Sequence, residues 1–278
     1  MGSAFESFET VMKTVLLIGA GGGMGFACAR MFLQDGVRVL GMDRPGAEMP
    51  EGVVPLYADL TGADAVAAAY EAVKAETLDA IVYMAGIYEA DSLVEIDEAR
   101  LSRIFEINVF GAYRVIRTFL PLLHDGSRVV LVTSELADLD PLPFTGLYGI
   151  TKATLDRFAF SLAMELQLLG ITVSVIRPGA VETPLLNGSV KSIETFTERT
   201  KLYPDVAEKF LRVTNAVEAK AVPPEAVAKK VRKALKVKHP RFAYTLNRNP
   251  LLRIYGILPK RLKLYFIKTF LNTKKAGK

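Results

Sequence analysis

Cysteine occurs once, as Cys28, and histidine only twice in the 278 residues. No disulfide framework and no C-x-x-C metal or redox pair can be built from one thiol, and with so few imidazoles no zinc site is expected. A reducing, cytoplasmic setting fits these counts. No apolar run reaches 18 residues, and the amino terminus lacks the basic-then-apolar layout of a signal peptide, so neither a membrane span nor export is expected. Gly2 begins a myristoylation-like start, but Glu6 stands where that pattern needs Ser or Thr. Internal repeats and low-complexity segments are absent. Acidic residues run out early: Glu225 is the only one from Lys220 onward, whereas 17 of the 35 Lys and Arg lie there, so the rest of the chain is net acidic. No base-reading motif accompanies that basic end, so no nucleic-acid partner is expected.

Half of the residues are apolar, enough for a sizeable core in one large α/β domain. Residues 1–11 show no periodicity and read as a disordered extension, with 12–248 as the single domain and 249–278 as a basic tail. A β-branched run at 14–18 leads at once into Gly19-Ala20-Gly21-Gly22-Gly23-Met24-Gly25 and a helix-like stretch. Glycines at such a turn let the backbone approach a pyrophosphate, whose charge suits the free N–H groups and dipole of the helix start. The spacing is G-x-x-x-G-x-G at Gly19, Gly23 and Gly25.

A second strand, 37–42, ends in Asp43, placed to accept hydrogen bonds from an adenosine ribose and to repel a 2′-phosphate. This favours NAD over NADP, softened by Arg44, which offers a phosphate partner. Strands at 53–57, 80–83, 128–132, 172–176 and 241–246 alternate with helix-like segments, the pattern of a parallel sheet covered on both faces. Within a long helical stretch at 97–123, Asn108 sits among Ile107, Val109 and Phe110, and an amide there needs partners. It reads equally as a satisfied core amide or a functional one.

The fifth strand delivers Thr133 and Ser134 at its carboxyl end, the edge where open α/β sheets bind ligands. Tyr148 and Lys152, four apart at the head of a helix-like run, share one face about a turn apart. A nearby ammonium favours a phenolate, which predicts a lowered tyrosine pKa and a usable general acid or base. Beyond the sixth strand, the segment from Arg177 to Thr183 stops the strand with Pro178 and Gly179 and leaves the Thr183 hydroxyl near the sheet edge.

In this order, the glycine turn, Asp59-Leu60, Asn108, Ser134, Y-x-x-x-K at Tyr148 and Lys152, and P-G-x-x-x-T from Pro178 to Thr183 resemble the short-chain dehydrogenase/reductase family in its classical form, over residues 13–183. The resemblance implies a Rossmann-type doubly wound parallel sheet of about seven strands, with helices on both faces and a helical carboxyl-terminal extension. It also implies an NAD(H)-dependent oxidoreductase interconverting an alcohol and a ketone or aldehyde, and a homo-oligomer. Tyr148 would exchange the proton with the substrate oxygen, Ser134 would hydrogen-bond that oxygen, and Lys152 would hold the nicotinamide ribose. Asn108 would hold a water, Thr183 the carboxamide and Asp59 with Leu60 the adenine. Gly22, Met24, Ala85, Gly86, Gly179 and Val181 complete the cofactor contacts. An epimerase or dehydratase of the extended branch, or a sensor that binds NAD without chemistry, are the alternatives.

Two places depart from the family's pattern. Ile18 and Tyr83-Met84-Ala85-Gly86 stand where Thr and Asn-Asn-Ala-Gly are usual, an exchange that removes hydrogen-bonding groups from both sides. Glu135, directly after Ser134, reads as a solvent-facing charge rather than one beside the substrate. After Thr183, Leu185, Leu186, Phe196, Tyr203, Phe210 and Leu211 read either as the wall of a pocket for a lipophilic substrate, such as a steroid, retinoid or long-chain alcohol, or as the packing of an inserted helix pair. In the tail, lipophilic and basic residues alternate at helical spacing. That pattern suits a peripheral membrane contact, a cap on the enzyme's own pocket or a subunit contact.

Overall fold

The computed structural model describes residues 12–218 and 221–271; the extension expected at 1–11 lies outside them. Strand β1 (Thr14–Ile18) enters the centre of a seven-stranded sheet and is buried along its whole length. The other strands are β2 (Arg38–Asp43), β3 (Val54–Tyr57), β4 (Leu78–Tyr83), β5 (Leu123–Val132), β6 (Thr172–Pro178) and β7 (Ala243–Leu246). They lie in the order β3-β2-β1-β4-β5-β6-β7, all pairs parallel, with Val15 opposite Val39 on one side and Ala80 on the other. This is the Rossmann-type doubly wound sheet.

Side chains alternate across the sheet, so each strand feeds two cores. Leu16, Ile18, Leu40, Ile81 and Leu131 face helices α2 (Ala63–Glu71), α4 (Gly111–Phe119) and α5 (Gly146–Leu166). Val15, Leu17, Val39, Val82 and Val130 face α1 (Gly23–Gln34) and α8 (Pro224–Lys236). The chain turns to opposite sides from β1 and β4, and the crevice between their carboxyl ends is where such sheets take ligands.

The single helix expected at 97–123 is instead interrupted. Helix α3 (Glu98–Phe105) passes into a π turn at Glu106–Phe110, which carries Asn108, before α4 begins. The fully buried Tyr83 explains the break locally: its hydroxyl donates to the Ile107 carbonyl at 2.8 Å, and Gly111 leaves it room, since a Cβ there would lie 2.8 Å from that hydroxyl. After β6 come α6 (Pro184–Arg199) and α7 (Pro204–Glu218), and after β7 the tail helices α9 (Pro250–Ile257) and α10 (Lys260–Leu271). Among the described residues no helix is long and apolar enough to cross a membrane.

Candidate active site

The glycine turn closes over the end of β1. Gly19 has φ +84°, and a Cβ on it would lie 2.9 Å from the Ala85 nitrogen, so both conformation and space demand glycine. Gly22 caps α1 without a side-chain hydrogen bond, and no acid occupies the first turn of the helix at Gly23, Met24 and Gly25, which leaves its N–H groups open to an anion. The Asp43 carboxylate, at the end of β2, accepts from the Gly21 N–H at 2.9 Å and from the Arg44 N–H at 2.8 Å, while Arg44 itself is exposed. A Cβ on Gly23 would meet Thr183 Cγ2 at 2.8 Å, which brings together two motifs from opposite halves of the chain. These features fit a dinucleotide laid across the crevice.

Asp59 and Leu60 lie at the end of β3. One Asp59 oxygen accepts from the N–H and the hydroxyl of Thr61, and these hydrogen bonds hold its carboxyl below the usual range. Leu60 packs against the core, and its carbonyl accepts from Arg114 at 3.0 Å.

Ser134 leaves the end of β5, and its hydroxyl caps a short 3-10 turn, Glu135–Asp138, by accepting from the Leu136 N–H. Tyr148 stands in the first turn of α5 with its ring 4.8 Å from that of Tyr88, and it shares the wall of one cavity with Ser134. Lys152, one turn on, donates to the Val132 carbonyl at 3.3 Å, and its Nζ lies 5.8 Å from the Tyr148 ring centroid. Gly86 makes this approach possible, since a Cβ there would lie 3.1 Å from the Lys152 Nζ and 3.2 Å from the Asn108 Oδ1.

The expected lowering of the tyrosine pKa is not what the site produces. Burial pushes the Tyr148 phenol up to about 12, with the neighbouring Ser134 hydroxyl pulling the other way, and burial pulls Lys152 down to about 8. Desolvation penalises the charged form of both groups and dominates both shifts. Lys152 still carries its proton at neutral pH, so a cation is in place when negative charge develops on the phenol oxygen.

Asn108 is fully buried. Its Oδ1 accepts from the Ile87 N–H at 2.8 Å, and its Nδ2 donates to the Ile87 carbonyl at 2.9 Å and to Thr151 Oγ1 at 3.0 Å. Both amide protons are thus engaged within the protein, and the side chain braces α5 against the segment after β4. The Thr183 hydroxyl donates to the Val181 carbonyl at 3.3 Å and caps α6 by accepting from the Leu186 N–H at 3.4 Å.

A cavity of about 250 Å³ opens beside Tyr148. Ser134, Tyr148, Lys152, Pro178, Gly179 and Val181 meet there with Met24 and Gly86, and Leu142, Leu185, Leu186, Phe210 and Leu252 supply apolar walls. Phe196 and Tyr203 do not line it. They pack around Phe144, at 4.7 and 5.3 Å between ring centroids, in the core of the α6 and α7 pair. Phe144 has φ +61°, a conformation that bulky residues rarely adopt, and its ring wedges the loop before Tyr148 under those helices.

Glu135 corrects the expectation that it faces solvent. It is buried at the cavity, where its carboxylate accepts from the Asn249 N–H at 2.7 Å, and burial raises its pKa. The missed signal lies far along the chain, in the polar Asn-Arg-Asn turn that opens the tail.

A family model described as short chain dehydrogenase matches residues 13–194. An uncharacterized short-chain type dehydrogenase/reductase of Sinorhizobium fredii is 31% identical over 232 residues, 81% of this chain and 86% of that protein. Among solved structures, a short chain dehydrogenase from Burkholderia cenocepacia in complex with NADP matches with a TM-score of 0.71 at 20% identity, over 94% of this chain and 98% of that one. The 3-ketoacyl-(acyl-carrier-protein) reductase from Brucella melitensis complexed with NADH matches with a TM-score of 0.67 at 23% identity, over 84% and 96%. At such identities the two structures show the fold alone.

Proposed function

The chain belongs to the short chain dehydrogenase family of NAD(P)-dependent oxidoreductases, and from that premise we propose that it interconverts a secondary alcohol and a ketone on a lipophilic substrate, using NAD(H) and Tyr148 as general acid and base. The observation that carries this reading is the meeting of Ser134 and Tyr148, with Lys152 one turn away, on the wall of a largely apolar cavity.

The nicotinamide cofactor, when bound, supplies the hydride chemistry at the substrate carbon. Gly22, Gly23, Met24 and Gly25 would hold its pyrophosphate, Asp43 and Arg44 the adenosine ribose, Asp59 and Leu60 the adenine, and Ala85, Gly86, Pro178, Gly179, Val181 and Thr183 the nicotinamide end. Lys152 would hold the nicotinamide ribose. Ser134 fixes the substrate oxygen by a hydrogen bond, so that the oxygen meets the Tyr148 phenol in line for proton transfer. In oxidation Tyr148 removes the proton from the alcohol, and in reduction it returns one to the carbonyl oxygen. The Lys152 ammonium stabilises the phenolate that oxidation requires. Asn108 keeps α5, and therefore Tyr148 and Lys152, in register with the segment after β4. The apolar walls exclude water and select a lipophilic body, leaving few polar groups to orient it.

NADH formation with a panel of steroids, retinoids and long-chain alcohols tests this. The expected result is turnover that falls by about 10²-fold or more in Tyr148→Phe. Turnover equal in parent and variant would remove Tyr148 from the chemistry, and cofactor binding without oxidation of any alcohol would favour a sensor.

A further inference from the structure

Three carboxylates in the segment that follows Ser134 each hold a point of the tail. Glu135 accepts from the Asn249 N–H at 2.7 Å, Asp138 from the Arg248 guanidinium at 2.6 Å, and Asp140 from Lys263 at 2.7 Å. Lys263, only 6% exposed, also donates to the Gly256 carbonyl at 2.8 Å, which ties α10 back onto α9. The tail is therefore fixed in orientation. From α9, Leu252 enters the cavity wall. From α10, positions 263, 267 and 271, four apart, turn inward, and Ile267 and Leu271 pack into the cluster around Phe144 and Phe210.

Packing to the body leaves a second face unused. Leu251, Ile254 and Ile257 of α9 and Leu264, Tyr265 and Phe266 of α10 are exposed, Ile257 to 83% and Leu264 to 73%. A cluster of large apolar side chains left in water on a firmly anchored element marks a contact surface. Arg253, Lys260, Arg261 and Lys268 are exposed among them, and no acid follows Glu225 in the sequence. A second copy docked by a two-fold axis would set this cationic face against itself. An anionic bilayer accepts both the apolar groups and the cations.

We infer that the outward face of α9 and α10 docks on an anionic phospholipid surface, and that the lipophilic substrate enters the cavity from that surface past Leu252. The entry route rests on the proposed function for the substrate's chemistry; the docking rests on the tail alone.

Co-sedimentation of the full chain with vesicles tests the docking, using phosphatidylcholine alone and phosphatidylcholine with about one third phosphatidylglycerol. The expected result is binding to the anionic vesicles at least about tenfold tighter than to the neutral ones, weakened by added salt. Ile257→Ser combined with Leu264→Ser, at two exposed positions, should weaken binding by about tenfold or more. The same variant should slow turnover of an alcohol dissolved in vesicles while leaving a short water-soluble alcohol unaffected. Three results overturn the docking: no association of the parent with anionic vesicles, equal binding by parent and variant, or a parent dimer that the substitutions dissociate and that ignores vesicles. Equal slowing of both alcohols overturns the entry route. Vesicle binding without oxidation of any alcohol would leave the docking standing and remove the redox reading, and oxidation without vesicle binding would do the reverse.

Discussion

The Tyr83 hydroxyl reaches across from the end of β4 to the Ile107 carbonyl at 2.8 Å, inside the π turn that carries Asn108. π turns inside helices often sit at functional sites, and this one is braced by the residue that replaces the family's usual asparagine. Tyr83→Phe keeps the ring and removes one buried hydrogen bond, a loss of about 1 kcal/mol. The melting temperature should fall by about 2–4 °C. An unchanged thermal melt would show that the bond contributes nothing to holding the turn.

Lys152→Met should trade activity for stability. The folded protein holds Lys152 near 8 instead of 10.5, so between those values the unfolded chain binds the proton and the folded one does not, and stability rises with pH across that window. Below it the buried ammonium carries its full cost. At pH 7 the methionine variant should be more stable by on the order of 2 kcal/mol, an advantage that shrinks from pH 8 upward and is gone above 10.5, while turnover collapses. Urea melts at several pH values check the sign, and a variant less stable than the parent at pH 7 contradicts it.

For Glu135 the sign is opposite. Burial raises its folded pKa above 4.5, so the group's contribution is best at low pH and is lost as pH rises through the folded value. Glu135→Gln keeps an acceptor for Asn249 without the buried charge, and its stability relative to the parent should improve as pH climbs from 4.5. Glu135→Ala removes the acceptor, and KM for a bulky alcohol should rise by several-fold with kcat little changed. A matching drop in kcat would place Glu135 in the chemistry instead.

Asp43→Ser retains an acceptor for the Gly21 N–H while removing the charge that would oppose a 2′-phosphate. The ratio of kcat/KM for NAD to that for NADP should fall by roughly tenfold or more, since a charged hydrogen bond is worth about 1.5–3 kcal/mol. Steady-state rates with both cofactors give that ratio, and an unmoved value would shift the discrimination to Arg44.

What could be read from residues alone follows from how far each pattern reaches. Strands, the glycine turn and the Tyr148 to Lys152 pair are written in neighbours at most a few turns apart, where periodicity and steric rules act directly. The π turn was hidden because its cause, Tyr83, lies 24 residues upstream of Ile107 and pairs with a carbonyl that any residue could supply. Glu135 looked like a surface charge because its partner is 114 positions away. The direction of the Tyr148 pKa depends on total burial, which no spacing records.

The acidic segment behind Ser134 also orders events in time. Gly21 and Asp43 are 22 positions apart, whereas Glu135 waits for Asn249 at 114 and Asp140 for Lys263 at 123. Closing the longer loops is the slower entropic step. During refolding from denaturant, the Gly21 to Asp43 contact at the adenosine end closes early, while the nicotinamide end waits for Gly23 to meet Thr183 across 160 positions. Competence to discriminate among alcohols arrives only when the far end of the chain has come home.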